Sequence, residues 1–377
     1  MHKLTFYPLG NADCCLIELE GGGRILFDYA NTRDPEDDGD LRCDLPTLLR
    51  EKLESENRES LDVLAITHLD EDHYKGMSEF FWLDHAEKYQ GEDRIRIETL
   101  WVPAAAITET SLEKVEAKIL QKEARYRLKK GHGIRVFSRP ERLREWCEAN
   151  DVSLDDRLGL ITNAGQLVPE LTLVEDGVEF FVHSPFAKRL NDDEVEDRNE
   201  DAIVVQATLS VQDVQTRVLL LADVTHEVLS DIVAITRDMK ERPERLAWDV
   251  AELPHHCSYL ALGPDKGEDK TQPVENVDWL WREQGQEHGI IVSTSKPIPL
   301  KGSDEDDDEN PPHRQAANYY QGVLNDLAGN FVVTMQHPNS SSPEPCTIEI
   351  GDRKASVRKQ TLSASDRATV RRTPRAG

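Results

Sequence analysis

The 377-residue chain contains no apolar run approaching the ~20 residues that a helix needs to cross a bilayer, so no membrane span is expected. Its opening residues, Met1-His2-Lys3-Leu4-Thr5, carry no apolar stretch of the kind that marks a secretory signal. The six cysteines, at positions 14, 15, 43, 147, 257 and 346, include no C-x-x-C pair, and free thiols in a cytoplasmic protein are the expectation. A G-x-S-x-G turn is also absent, which leaves a serine nucleophile without support. Positive charge is in short supply: 45 Lys and Arg face 72 Asp and Glu, for a net charge of −27. Such a surface repels nucleic-acid phosphates over long range and argues against tight non-specific binding to a duplex. It leaves room for a local basic groove or a metal-lined cleft.

The densest chemistry lies in Thr67-His68-Leu69-Asp70-Glu71-Asp72-His73-Tyr74-Lys75-Gly76. It follows a mostly apolar run, Leu61 to Ile66, that reads as a short buried strand, and Gly76-Met77 then opens a helix. His68, Asp70, Asp72 and His73 therefore fall within one loop at a strand end, where they can turn toward one point. Neutral imidazole suits zinc, whereas carboxylates add charge and favour harder ions such as manganese. An ordinary polar surface turn seldom places two histidines and two aspartates there.

The chain is long enough for one large or two medium domains. Leu4–Tyr7, Cys14–Glu20 and Arg24–Tyr29 read as strands of an opening antiparallel sheet, with turns at Gly10-Asn11 and Gly21-Gly22-Gly23. Leu45–Leu53 has helical spacing, and Ile97–Val102 reads as the next strand. Residues 108–165 read as a largely helical insertion. Thr110-Ser111-Leu112-Glu113 has the form of a capping box, and Pro140–Ala149 reads as a further helix. Leu171–Val174, Val178–His183, Ala202–Leu209, Arg217–Leu221, Trp248–Leu253 and Gly289–Ser293 read as strands. Phe331–Met335 and Cys346–Ile350 can close the second sheet. The six consecutive acids Asp304 to Glu309, within 303–310, read as a solvated, mobile loop. From 351 to 377 eight Lys or Arg and two Asp, with few apolar residues, read as a basic disordered tail.

The stretch from His68 to His73 resembles the H-x-H-x-D-H signature of the metallo-β-lactamase fold, with Asp70 in the place of the second histidine. That variant is similar to the branch found in DNA-uptake competence proteins of the ComEC type. The resemblance covers roughly residues 1–350 and implies an α/β fold, an αββα sandwich of two facing sheets with helices outside. Further segments match in order. Leu9-Gly10-Asn11-Ala12-Asp13 resembles the family's first turn, and Asp28 its strand-end acid. His183-Ser184-Pro185 leads into the loop holding Arg198-Asn199-Glu200-Asp201. Ala222-Asp223 resembles the family's Gly-Asp, Pro254-His255-His256-Cys257-Ser258 its H-H-G-S, and His313 a later histidine. The resemblance implies two divalent metal ions, zinc or manganese, held by His68, Asp70, Asp72, His73, Asp223 and His255, with Asp223 between them. The remaining ligand of the first ion falls to His183 or the Asn199 region. His256 and His313 are implied as hydrogen-bond donors to an oxyanion or leaving group, beside Asp72 and Asp223 as catalytic residues.

Metal-assisted hydrolysis is the expected class. A phosphodiester, in nucleic acid or a nucleotide, is the favoured substrate. An ester, lactone or thioester is the alternative within that chemistry. An interaction module, using the acidic loop or basic tail to hold a protein partner, is the alternative outside it.

Overall fold

The structure, a computed structural model, describes residues 1–186 and 201–358. Strands β1 (His2–Phe6), β2 (Cys15–Glu18) and β3 (Arg24–Phe27) run antiparallel through short turns. Helix α1 (Leu45–Ser55) follows, capped by Asp44, whose Oδ1 accepts from the Thr47 amide at 3.1 Å. Its Leu45, Leu49 and Leu53 recur at helical spacing and are buried against the sheet. The chain then alternates β4 (Ser60–Ala65), α2 (Met77–Phe80), β5 (Arg96–Pro103), α3 (Ala105–Thr108), α4 (Val115–Lys130), β6 (Ile134–Phe137), α5 (Glu141–Ala149) and β7 (Ile161–Thr162). Strands β3 to β7 are mutually parallel.

A second sheet takes β8 (Val178–Ser184), β9 (Val204–Val211) and β10 (Val214–Leu220) as antiparallel neighbours. Helix α6 (His226–Val233), β11 (Trp248–Glu252), α7 (Glu275–Glu283), β12 (Gly285–Ser293), α8 (Arg314–Asp326) and β13 (Asn330–Val333) then add parallel strands. The chain returns to the first sheet as β14 (Cys346–Gly351), antiparallel to β1, and β15 (Lys354–Val357) at its edge.

Both faces of both sheets are apolar, so the layers stack as helix, sheet, sheet, helix. In β10, Val218 and Leu220 point between the sheets while Leu219 points toward the outer helices. In β12, Ile290 and Val292 face inward and Ile291 outward. Across the central layer Trp101 of β5 meets Phe180 of β8 edge-on at 5.3 Å, and Phe27 of β3 stacks on Phe180 at 5.9 Å. This is the αββα sandwich expected from the sequence. No helix among the described residues is long and apolar enough to cross a membrane.

Several local expectations are corrected. Residues 108–165 do more than decorate the sandwich, because β6 and β7 extend the first sheet and α4 is the crossover between β5 and β6. The short run Ile134-Arg135-Val136-Phe137 hides its strand character behind Arg135. That side chain is buried and donates to Thr162 Oγ1 at 3.0 Å and Glu170 Oε1 at 2.8 Å. Helix α4 starts at Val115 without a side-chain cap, and Ser111 Oγ instead donates to Glu109 Oε1 at 3.0 Å. Residues 171–174 form no strand, and Val174 is 94% exposed, so nothing there rewards pairing. Cys346–Gly351 closes the first sheet rather than the second.

The acidic loop is tied down rather than mobile. Asp306 turns inward to accept from Arg314 Nε at 2.9 Å and the Gly302 amide at 3.0 Å, while Lys266 Nζ donates to the Asp306 and Asp308 carbonyls. The segment read as a tail begins as β15, whose Lys354 Nζ reaches Asp249 Oδ1 on the opposite sheet at 2.8 Å. Residues 359–377, which carry the rest of that basic segment, lie outside the described residues.

Strand β15 therefore contributes to stability. A chain ending at Gly351 should unfold about 2 kcal/mol more easily than one ending at Arg358, from lost apolar cover and the Lys354 bond. Thermal unfolding of the two truncations checks this. Equal melting temperatures would show that the strand contributes nothing.

Candidate functional site

Loops from both sheets meet at the carboxyl ends of β3, β4, β10, β11 and β12, where an open parallel arrangement leaves a crevice. The loop after β4 is set by Asp28, at the end of β3. Its Oδ1 accepts from the Thr67 amide at 2.7 Å, and its Oδ2 accepts from Thr67 Oγ1 at 2.7 Å. The same Oδ2 lies 2.8 Å from His73 Nδ1. A donating Nδ1–H there makes Nε2 of His73 the nitrogen that is open to a metal in the crevice. A single 3-10 turn, Glu71–His73, and left-handed Gly76 then carry the chain away.

The second half supplies Asp223 after β10 and His256 after β11. The His255 amide donates to the Ala222 carbonyl at 3.0 Å, joining these two loops. His256 Nδ1 lies 2.9 Å from the Thr294 carbonyl, which can only accept, so Nδ1 is the protonated nitrogen and Nε2 faces the crevice. Ala222, His255, His256 and Cys257 all have positive φ, from +47° to +68°. Such backbone is costly for residues with a Cβ and is held here by the surrounding bonds.

Asp72, His73, Asp223 and His256 each offer one ligand atom, and these four atoms lie within 4.8 Å of one another. His256 Nε2 is 3.1 Å from Asp72 Oδ2 and 3.6 Å from Asp223 Oδ2. His73 Nε2 is 3.6 Å from Asp223 Oδ1 and 3.9 Å from Asp72 Oδ1. Ligands ~2.0–2.2 Å from a tetrahedral ion are about 3.3–3.6 Å apart, so the donor set fits a divalent metal. His73 Nε2 and Asp223 Oδ1 are buried with no hydrogen-bond partner among the described residues, as ligand atoms would be.

Without an ion the charges balance through protons. Burial opposes protonation of His73, but Asp28, Asp223 and Asp72 outweigh it and hold the imidazole well above its usual range. Burial likewise opposes protonation of His256, and Asp223, Asp13 and Asp72 overcome it, raising the group to about 10. Burial lifts Asp13 to about 6 even though His256 and His73 pull it down. For Asp72 burial works upward, but His73 and His256 prevail and lower it to about 2. Glu252, at the end of β11, is raised well above the carboxylate range by burial and by Asp13 and Asp28.

The other expected residues are placed differently. The buried His68 ring lies 3.9 Å from that of His73, and its Nε2 is 3.7 Å from Asp70 Oδ2. Burial and then His73 push His68 down to about 4, which keeps it neutral. These two residues flank the four-atom group without joining it. His255 lines the adjoining cavity, and its place in the group is taken by His256; the left-handed turn swings the second ring inward. His313 accepts the Tyr259 amide at Nδ1, 3.3 Å away, which leaves its proton on Nε2. Burial and then Lys266 lower it to about 4. His183 is turned into packing, with Nε2 2.9 Å from the Arg245 carbonyl and Nδ1 3.4 Å from Thr236 Oγ1, so it supplies no ligand. Asn199 lies outside the described residues. Thr67 and Thr294, which orient the loop and a ring, carry no signal in sequence beyond their positions at strand ends.

A cavity of 630 Å³ opens beside the group, with Asp72 and His256 in its wall. No protein-family model matches the chain. No curated protein matches it either. Among solved structures the chain is similar to one described as the crystal structure of a new diphosphatase from the PhnP family. The identity is 12%, the likeness covers 82% of this chain and 92% of that chain, and the TM-score is 0.30.

Proposed function

We propose that the protein is a metal-dependent hydrolase of phosphodiesters. The observation that carries this reading is the convergence of ligand atoms of Asp72, His73, Asp223 and His256 within 4.8 Å of one another, beside an open cavity whose wall includes Asp72 and His256. Buried carboxylates and imidazoles with unpartnered lone pairs are costly unless a cation uses them. These four residues would hold one divalent ion, zinc or manganese, and His68 with Asp70 would contribute to a second beside it. The bound ions supply Lewis acidity that polarises a phosphoryl oxygen and acidifies water.

The protein's own groups orient that chemistry. Asp28 locks the His73 ring and tautomer, and the Thr294 carbonyl does the same for His256. His313, neutral with a buried Nε2–H, is assigned the role of donor toward the departing oxygen. The signature with Asp70 keeps the competence-type branch as the family reading.

Asp223→Ala and His256→Ala should each strip bound metal and abolish turnover of bis-p-nitrophenyl phosphate, whereas His255→Ala should retain the metal. Asp28→Asn should weaken metal affinity by about 10–100-fold through the misoriented His73. Metal content by mass spectrometry and turnover on the same samples read these outcomes. Full activity with Asp223→Ala would sink the proposal.

Metal binding should also release protons. His73 and His256 are raised in the metal-free protein, so both carry protons at pH 7.5 that must leave before Nε2 can bind. Affinity should therefore rise with pH. Calorimetric titration of zinc into metal-free protein in buffers of different ionisation enthalpy measures the release. A proton count of zero would show that the two imidazoles are not protonated in the metal-free protein.

A further inference from the structure

The cavity beside the Asp72, His73, Asp223 and His256 group has a lining of mixed character. Ile298, Leu300 and Pro312 contribute apolar surface, and Glu305 and Asp308 are acidic residues of the same lining. Lys296 is the single ammonium or guanidinium among the described lining residues. The lining segments around Lys296 and Pro311 are strapped together by one side chain, Asn11. Its Nδ2 donates to the Pro311 carbonyl at 2.6 Å, and its Oδ1 accepts the Lys296 amide at 3.0 Å.

The carboxylates do not belong to a loose loop. Arg314 and the Gly302 amide hold Asp306, and Lys266 holds the carbonyls of residues 306 and 308. Asp308 Oδ1 also accepts from the Asn310 amide at 3.0 Å. These bonds hold the backbone that carries Glu305 and Asp308 at the cavity, and the Asp308 carboxylate itself is held by Asn310. A volume of 630 Å³ is in the range of a pocket for one nucleotide-sized molecule. A strand of nucleic acid would have to carry successive phosphates past the two carboxylates, with one ammonium to offset them.

We propose that the cavity selects a phosphodiester of nucleotide size carrying one anionic phosphate, with Lys296 gripping that phosphate. In this arrangement Glu305 and Asp308 reject any substrate that brings a second phosphate. The organic arm packs on Ile298, Leu300 and Pro312. This deepens, and rests on, the reading of the site as a phosphodiesterase.

The test uses the full chain loaded with zinc or manganese and two probes, thymidine 5′-p-nitrophenyl phosphate and a thymidine tetranucleotide. The wild type should prefer the single-phosphate probe in kcat/KM by at least about tenfold. Lys296→Ala should raise KM for that probe several-fold with less change in kcat. The double variant Glu305→Gln/Asp308→Asn should reduce the preference about tenfold by admitting the tetranucleotide. The control Asp307→Asn/Glu309→Gln removes the same charge from exposed acids of the same loop that do not line the cavity, and should leave the preference in place. Equal wild-type rates on both probes, or equal effects of the two double variants, would overturn the selection mechanism while leaving the phosphodiesterase intact. Turnover of neither probe by metal-loaded protein would overturn the phosphodiesterase reading, and this inference with it.

Discussion

The carboxylate of Asp28 is the constraint on which the site depends. It is buried at the end of β3, in left-handed backbone with φ +57°, and its own amide donates to Ala65 at the end of β4. From there it receives the Thr67 amide, the Thr67 hydroxyl and His73 Nδ1. One anion thus fixes the exit of β4, the path of the loop and the orientation of the His73 ring. Charge-assisted bonds of this kind are stronger than neutral ones, and a buried carboxylate stripped of them would be costly.

The second half answers with strain. Four residues with side chains, Ala222 and His255 to Cys257, take positive φ. Glycine would adopt that backbone freely, yet three of these positions need their side chains or fill space with them. Cys257 is fully buried, and the His313 amide donates to its carbonyl at 3.1 Å. The reward for the left-handed turn is direction: it sends His256 into the group with Asp72, His73 and Asp223 and leaves His255 on the cavity wall. The halves are joined across the crevice by the Ile203 amide on the Thr67 carbonyl and by the two bonds of Asn11.

The acidic composition acquires a local meaning from this framework. A run of six acids would ordinarily spread into solvent. Here Arg314, eight residues from Asp306, and Lys266, forty residues from it, hold part of it in place. The net charge of −27 describes the whole surface, and the cavity lining brings two of those acidic residues beside one lysine.

Much of this was legible from residues alone, because strands and ligands follow local rules. Apolar runs ending in His, Asp or paired His mark strand ends that carry chemistry, and His68 to His73, Asp223 and His255-His256 were all visible as such. Apolar runs interleaved with helical spacing indicated strands and helices, and the two-sheet sandwich was what the resemblance of the motifs to the metallo-β-lactamase fold implied. What sequence could not decide was which way a ring turns. His256 rather than His255 enters the group because of three dihedral angles, and His183 is drawn away by the Arg245 carbonyl 62 residues further on. Nor could it assign strands whose partners are remote: β14 pairs with β1 at the other end of the chain, and Arg135 in β6 becomes tolerable only when Glu170 and Thr162 meet it. Local pattern determines which residues are apolar, capped or capable of binding a metal. Long-range hydrogen bonds and buried charge pairs determine which of them meet, since those energies exist only once the distant partners are in place.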